Sequence, residues 1–291
     1  DARAIWDRPW NTHFHWDQIL AKDFLTTLDR LRQIKTTDLQ RHALIAMMET
    51  CAHCPIDRGS YLEMARWYAL SGWDWGLFND TISRYQIKKG TGELIRHMVD
   101  DGHPDLKLSS PVQRIEQRPD VAIVTTVSGQ SYSAKAVVLA LPMNCLVNIE
   151  FVPGLSAEKI AASRQRHTGS GFKFYAEVKG RHGKTMMLAP LRYGPGYTFT
   201  YKETPQTTVF VGFASDPNGF DPNDEESVQR VMRNFIPDAE VTASTSYSWG
   251  RDPFALGTYC SYRPGKVSKW LDELGRSEGR LFMAGSEGSE G

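Results

Sequence analysis

Lys173 stands in the segment GFKFYAEV, where Phe172, Phe174 and Ala176 alternate with Lys173, Tyr175 and Glu177. Such alternation marks a half-buried strand, so the lysine projects from the face opposite the phenylalanines. It is either a solvated surface group or an ammonium held beside a site. In the second case it supplies donors and positive charge where negative charge develops, and partial burial would depress its pKa. Aromatic residues supply the other candidates: Trp67, Tyr68, Trp73, Trp75 and Phe78 in one run, Trp249 and Tyr259 in another. With eight Trp, eleven Tyr and thirteen Phe, the chain builds either a large core or an aromatic-lined pocket. Cys51-Ala-His-Cys54 is a CxxC with a histidine inside, but no second CxxC or HxxxH pair follows, so no metal site is expected. No GxGxxG and no GxxxxGK[ST] occurs; Gly169-Ser-Gly171 and Gly194-Pro-Gly196 lack the spacing of a phosphate-cradling turn.

These residues need elements to hold them. At 291 residues the chain can bury one large core or two ordinary ones. Its formal net charge is zero, which argues against a global field for nucleic acid or anionic membranes. The longest apolar run, AVVLALPMNCLV, is too short to span a bilayer and contains Pro142. Residues 13–80 read as helical: DQILAKDFLTTLDRLRQI, DLQRHALIAMMETCAH and SYLEMARWYALSGWDW all carry apolar residues at helix spacing, and Ser60 with Glu63 reads as a capping box. A helix follows the glycines at 90 and 92. Then LKLSS, PVQRIEQR, VAIVTTV and SYSAKAVVLALP read as strands, the last apolar enough to be buried on both faces of a parallel sheet. SAEKIAASRQ is a helix capped by Ser156; FKFYAEV, YTFTYK, TTVFVGFA and SYSW are strands; DEESVQRVMRNFI is a helix; RLFMAG closes the chain as a strand and turn.

The order of the pieces carries more than any one of them. GTGEL, SPVQRI with VAIVTTV and AVVLALP, RHTGSGFKFYAEV, SWGRDPFALGTYCSYRPG and RLFMAGSE follow one another in an order and spacing that resembles the flavin-dependent amine oxidases, in particular the soluble monoamine oxidases. The resemblance covers nearly the whole chain. It implies an α/β fold of mixed α+β character: part of an FAD-binding Rossmann-like domain interleaved with a substrate domain of mixed sheet plus helices. The implied division places residues 1–92 and 163–251 in the substrate domain, and 93–162 and 252–291 in the FAD-binding domain. It implies FAD, held noncovalently, since Thr258 stands where the membrane-bound relatives carry a cysteine bonded to flavin.

By the same resemblance, Val112 meets the adenine end of FAD through its backbone, and Ala140, Leu141 and Pro142 lie against the cofactor at a strand's carboxyl end. Gly285, Ser286 and Glu287 meet the ribityl-pyrophosphate. Trp249 packs near the flavin ring, Lys173 reaches flavin N5 through a water, and Tyr259 is one wall of an aromatic sandwich that orients a neutral amine. Trp67, Leu70 and Trp73 are expected to line the substrate cavity with Tyr259. The family's GxGxxG lies upstream of anything in this chain, and its second sandwich wall lies downstream. The chain therefore reads as the middle of an amine oxidase.

The implied reaction is oxidative deamination: hydride passes from an amine's α-carbon to flavin N5, and dioxygen returns hydrogen peroxide. The expected partners are a small-molecule amine and dioxygen, with no nucleic acid and no membrane; the expected compartment is the cytoplasm, and self-association stays open. Two other readings remain: a desaturase or histone-lysine demethylase of the same superfamily, and a non-catalytic fragment or subunit.

Overall fold

A computed structural model of the chain describes residues 2–85, 87–190, 194–215 and 220–285. The first third is helical: α1 (Ala2–Ile5), α2 (Trp16–Leu20), α3 (Thr27–Arg32), α4 (Asp38–Ala52), α5 (Tyr61–Leu70) and α6 (Trp75–Asn79). A π-helical turn at Asp80–Arg84 leads on to α7 (Thr91–Gly102). The segment DQILAKDFLTTLDRLRQI, read above as one helix, is two. Thr26 interrupts it as an N-cap: its hydroxyl accepts the Asp29 N–H at 3.0 Å, and the Asp29 carboxylate accepts the Thr26 N–H at 3.1 Å. The break leaves Phe24 exposed while Ile19, Leu25 and Leu31 enter the core. The capping box expected at Ser60 does not form. The Ser60 hydroxyl makes no cap bond, and Glu63 instead accepts the Tyr262 N–H from the far end of the chain.

The middle of the chain holds β1 (Val112–Gln117), β2 (Ala122–Thr126), β3 (Ser131–Ala134), β4 (Val137–Leu139), β5 (Glu150–Val152) and α8 (Ala157–Gln165). LKLSS is not a strand. SYSAKAVVLALP breaks into two strands in different sheets: β3 joins the sheet ordered β3-β2-β1-β5, and β4 pairs elsewhere. The polar, exposed Lys135-Ala136 step separates them. β4 is not buried on both faces either; Leu139 is buried, but Val138 is 63% exposed.

The second half supplies β6 (Gly171–Lys179), β7 (Met186–Leu188), β8 (Tyr197–Glu203), β9 (Thr207–Ser215), α9 (Glu225–Arg233), β10 (Val241–Ser248), α10 (Lys266–Gly275) and β11 (Leu281–Met283). Five of these strands form a sheet in the order β10-β6-β9-β8-β7. Every pairing in it is antiparallel, so the expected mixed sheet is corrected. β7 and α10 had no counterpart in the sequence reading. One face of the sheet is dry: Phe172, Phe174, Ala176 and Val178 of β6 pack with Phe210 against Val228 and Met232 of α9. Burying a side chain such as Phe174 contributes about 1.5–3 kcal/mol. That anchors β6 and fixes which face Lys173 presents. β4 and β11 run parallel, so their carboxyl ends lie side by side, with Ala140–Pro142 following one and Gly285 the other.

One buried ion cluster ties α8 to the chain's last third. The Lys159 ammonium, fully buried, meets Glu278 at 2.7 Å and Glu273 at 3.4 Å. Replacing Lys159 by Ala leaves Glu278 with the Ser156 N–H and Glu273 with Arg276 as remaining partners, and the expected loss is about 1–3 kcal/mol. Urea unfolding of the variant reads this directly as a lower midpoint; an unchanged midpoint contradicts it.

Candidate functional site

Three segments meet behind Lys173: the C-terminal end of α4, the start of β6 and the loop 257–262. Their backbones lie close enough to be stitched together. Thr258 N–H donates to Gly169 O at 3.0 Å, Thr168 N–H to Ser261 O at 2.9 Å, and Ser170 N–H to His53 O at 3.1 Å. The Thr258 hydroxyl accepts the Gly171 N–H at 3.1 Å, and the Ser261 hydroxyl donates to Ala52 O at 2.8 Å. Glycine makes this approach possible. A Cβ at Gly169 would stand 2.6 Å from the Tyr259 carbonyl oxygen, and one at Gly257 2.5 Å from the Asn144 side chain. Asn144 itself bridges the segments, accepting from His167 N–H at 2.9 Å and donating to Leu256 O at 3.0 Å. Tyr259 is therefore held from both sides of its backbone.

Two cavities share a partition made of Lys173, Phe213 and Tyr259. The first, of about 540 Å³, is lined on its far side by Ala140, Leu141, Pro142, Trp249 and Gly285. It thus opens at the carboxyl ends of the parallel pair β4 and β11, the position where α/β sheets hold ligands. The second, of about 410 Å³, is walled by Trp67, Tyr197, Phe199 and Ile82, with Thr50 and Asn79 as its neutral polar points. Both volumes lie in the roughly 300–1,000 Å³ range of small-molecule sites.

Cross-strand register builds the partition. Tyr247 of β10, Lys173 of β6, Phe213 of β9 and Tyr197 of β8 are successive partners, so one row crosses four strands on one face. Among the described residues the Lys173 ammonium meets no carboxylate. Its neighbours are the ring faces of Phe213 and Tyr175, 5.2 and 5.6 Å from its nitrogen. The positive charge is thus left for an occupant of the cavities. Burial holds the Tyr259 phenol above its ordinary pKa, so that ring is neutral. Burial also pushes the Cys51 thiol up to about 12 and the Cys54 thiol up to about 11, so both stay protonated and are poor nucleophiles.

The structure brings together most of the expected site residues. Lys173, Tyr259, Trp249, Ala140, Leu141, Pro142 and Gly285 line one cavity, and Trp67 faces the other. Trp249 is half exposed and meets Tyr247 edge to face, with centroids 4.7 Å apart. Leu70 lines neither cavity of the partition; it lines a third cavity of about 470 Å³ together with Trp67 and Tyr259, beside Glu63 and Arg66. Burial raises the Glu63 carboxyl to about 7 there. Trp73 lines neither cavity of the partition. Trp73 follows α5 at φ 63°, and its partly buried ring packs against the helical core cluster that contains Ile5, Trp6 and Ala69, with Arg3 over its face at 5.9 Å. Val112 opens β1 in the other sheet, away from both cavities. Ser286 and Glu287 lie outside the described residues. The sequence reading missed Phe213, Tyr197, Phe199 and His53. For the first three the signal was the outward face of two strands, which becomes a wall only once register is known.

Comparisons with known proteins agree with this geometry. The family described as flavin containing amine oxidoreductase matches residues 40–291. The chain is 34% identical over 294 residues to a pseudooxynicotine dehydrogenase of a Pseudomonas species, covering all of this chain and 59% of that protein. It is 29% identical over 295 residues to a nicotine dehydrogenase of Pseudomonas putida, covering all of this chain and 60% of that protein. It therefore spans about three fifths of the length of these relatives. Among solved structures, cyclohexylamine oxidase from Brevibacterium oxydans superposes with a TM-score of 0.77 at 18% identity, over 99% of this chain and 67% of that one, a likeness of fold.

Proposed function

This chain belongs to the flavin-containing amine oxidoreductases, and from that premise we propose that it takes part in the FAD-dependent oxidation of a neutral amine with an apolar body. The observation that carries the proposal is the shared partition. Lys173, Phe213 and Tyr259 divide a cavity at the carboxyl ends of β4 and β11 from an aromatic-walled one.

The residues present fit the cofactor's ring end. The first cavity is lined by the Trp249 and Tyr259 rings, by the Lys173 ammonium, which meets no carboxylate among the described residues, and by Gly285 at φ 132°. Thr258 offers a hydroxyl already engaged by Gly171, which supports noncovalent retention. When bound, FAD supplies the two-electron acceptor for the hydride of the amine's α-carbon. The protein's residues do the rest. Tyr259 and Phe213 confine the amine nitrogen between ring faces and exclude water. Lys173 stabilises the negative charge that develops at the acceptor. The oxidised imine then hydrolyses to a carbonyl product, and dioxygen as final electron acceptor yields hydrogen peroxide.

The second cavity favours one amine class. Among its described lining residues Lys173 is the only charged group, and there is no Asp or Glu. A diamine's distal ammonium would be desolvated there without a counter-charge. An aryl or alkyl monoamine meets ring faces instead. Nicotine, named in one relative, has one aliphatic amine and a weakly basic pyridine, and so likewise brings no distal ammonium. Amine-dependent peroxide release by the full-length flavin-loaded protein tests this. Benzylamine or cyclohexylamine is expected to exceed putrescine in kcat/KM by about a hundredfold, the effect of a buried unpaired charge. Equal or higher kcat/KM with putrescine refutes the assignment.

A further inference from the structure

α4 ends at Ala52, and His53 caps it in the left-handed conformation, φ 50° and ψ 35°. Ser170 N–H holds the His53 carbonyl at 3.1 Å, so the backbone is fixed. The imidazole, 4% exposed, lies flat on Tyr259 with centroids 4.2 Å apart and planes at 27°. Behind it is Gly171, where a Cβ would stand 2.2 Å from Nδ1; only a glycine leaves this slot open. The Phe213 ring closes the third side at 5.8 Å between centroids. Neither ring nitrogen has a hydrogen-bond partner among the described residues. Burial lowers the His53 pKa to about 4, so the ring is neutral at neutral pH. Two unmet buried nitrogens weaken a fold, and an aliphatic side chain would fill the slot without them. A flat ring does one thing an aliphatic side chain cannot: it dictates the plane of the ring stacked on it.

We propose that His53 is a positioning residue for Tyr259, held in the slot that Gly171 opens, and that it sets the plane of the phenol ring between the two cavities. Its catalytic consequence rests on the function proposed above: a tilted Tyr259 would present the amine's α-carbon wrongly.

Two readouts separate this inference from that reading. The first needs no amine. In protein labelled with fluorotyrosine, the Tyr259 fluorine resonance is identified by its loss in Tyr259→Phe. In His53→Leu it is expected to move toward the position of an unstacked tyrosine, as the imidazole ring current disappears; an unmoved resonance overturns the proposal. The second is anaerobic flavin reduction by benzylamine or cyclohexylamine in the full-length holoenzyme. His53→Leu is expected to keep its flavin and a wild-type or higher melting temperature, yet to reduce about tenfold more slowly at saturating amine. A wild-type rate overturns the catalytic consequence. Gly171→Ala supplies the independent variant: it should slow reduction in the wild type but add nothing in His53→Ala, where the clash is gone. Additive effects overturn the proposal. A wild type that neither amine reduces contradicts the functional reading, while the fluorine result still judges the stacking.

Discussion

Lys173→Met is expected to lower the rate of flavin reduction by an amine about a hundredfold, in the range found when one preorganised donor is removed from a site of developing charge. Methionine keeps the length and most of the volume of the side chain. The sheet should not notice: the residues that bury β6 are Phe172, Phe174, Ala176 and Val178, all on the opposite face. What disappears is an ammonium standing among Phe213, Tyr175 and the two cavities, with no carboxylate against it among the described residues. Flavin content and melting temperature should stay at wild-type values, so the loss falls on the reaction and not on the fold. Rapid mixing with amine under anaerobic conditions separates these. A Met variant that reduces at the wild-type rate removes Lys173 from the mechanism.

Tyr259 is expected to show the second large effect, with a diagnostic contrast between two substitutions. Its ring borders three cavities at once, and its backbone is held through its neighbours: Thr258 N–H donates to Gly169 O, and the Tyr259 carbonyl accepts the Ser261 N–H at 2.7 Å. Tyr259→Ala should join the cavities, admit water and remove the surface on which His53 stacks. The expected fall in kcat/KM is about thirtyfold to a hundredfold, the scale on which loss of orientation is felt. Tyr259→Phe keeps the ring and should retain activity within about threefold, because neither packing nor orientation changes. Steady-state kinetics of the pair decides between ring and hydroxyl: a Phe variant as impaired as the Ala variant would assign the role to the phenol oxygen.

Much of this was legible in the sequence where one signal dominated. β6 announced itself because one of its faces is dry, and a dry face forces a period of two. That alternation also fixed the side on which Lys173 lies. Ser156 and its helix were legible because the cap is local; its hydroxyl accepts the Lys159 N–H at 3.3 Å. The apolar period failed where a local cap overrode it or a partner from elsewhere decided the outcome. Thr26 breaks a helical apolar pattern through its own capping box. Glu63, spaced to cap α5, is drawn away by Tyr262, 199 residues on. The aromatic run from Trp67 to Phe78 looked like one lining. In the fold, Trp67 faces the partition, Tyr68 stacks with Trp75 and Phe78 at 5.4 and 5.1 Å, and Trp73, partly buried, packs against the edge of the helical core. His53 was read only as a metal candidate beside two cysteines. Its contact with Gly171 joins residues far apart in sequence, and nothing local to either announces the slot.

The proposed role of the partition of Lys173, Phe213 and Tyr259 is to separate a flavin from an amine. The measurement that tests it most directly is the visible absorption spectrum of the purified full-length protein, recorded before and after anaerobic addition of benzylamine or cyclohexylamine. Flavin bands are expected to bleach with the amine, and to return with hydrogen peroxide when air is admitted. Flavin bands left unchanged by these amines, or a protein that carries no flavin, would contradict it.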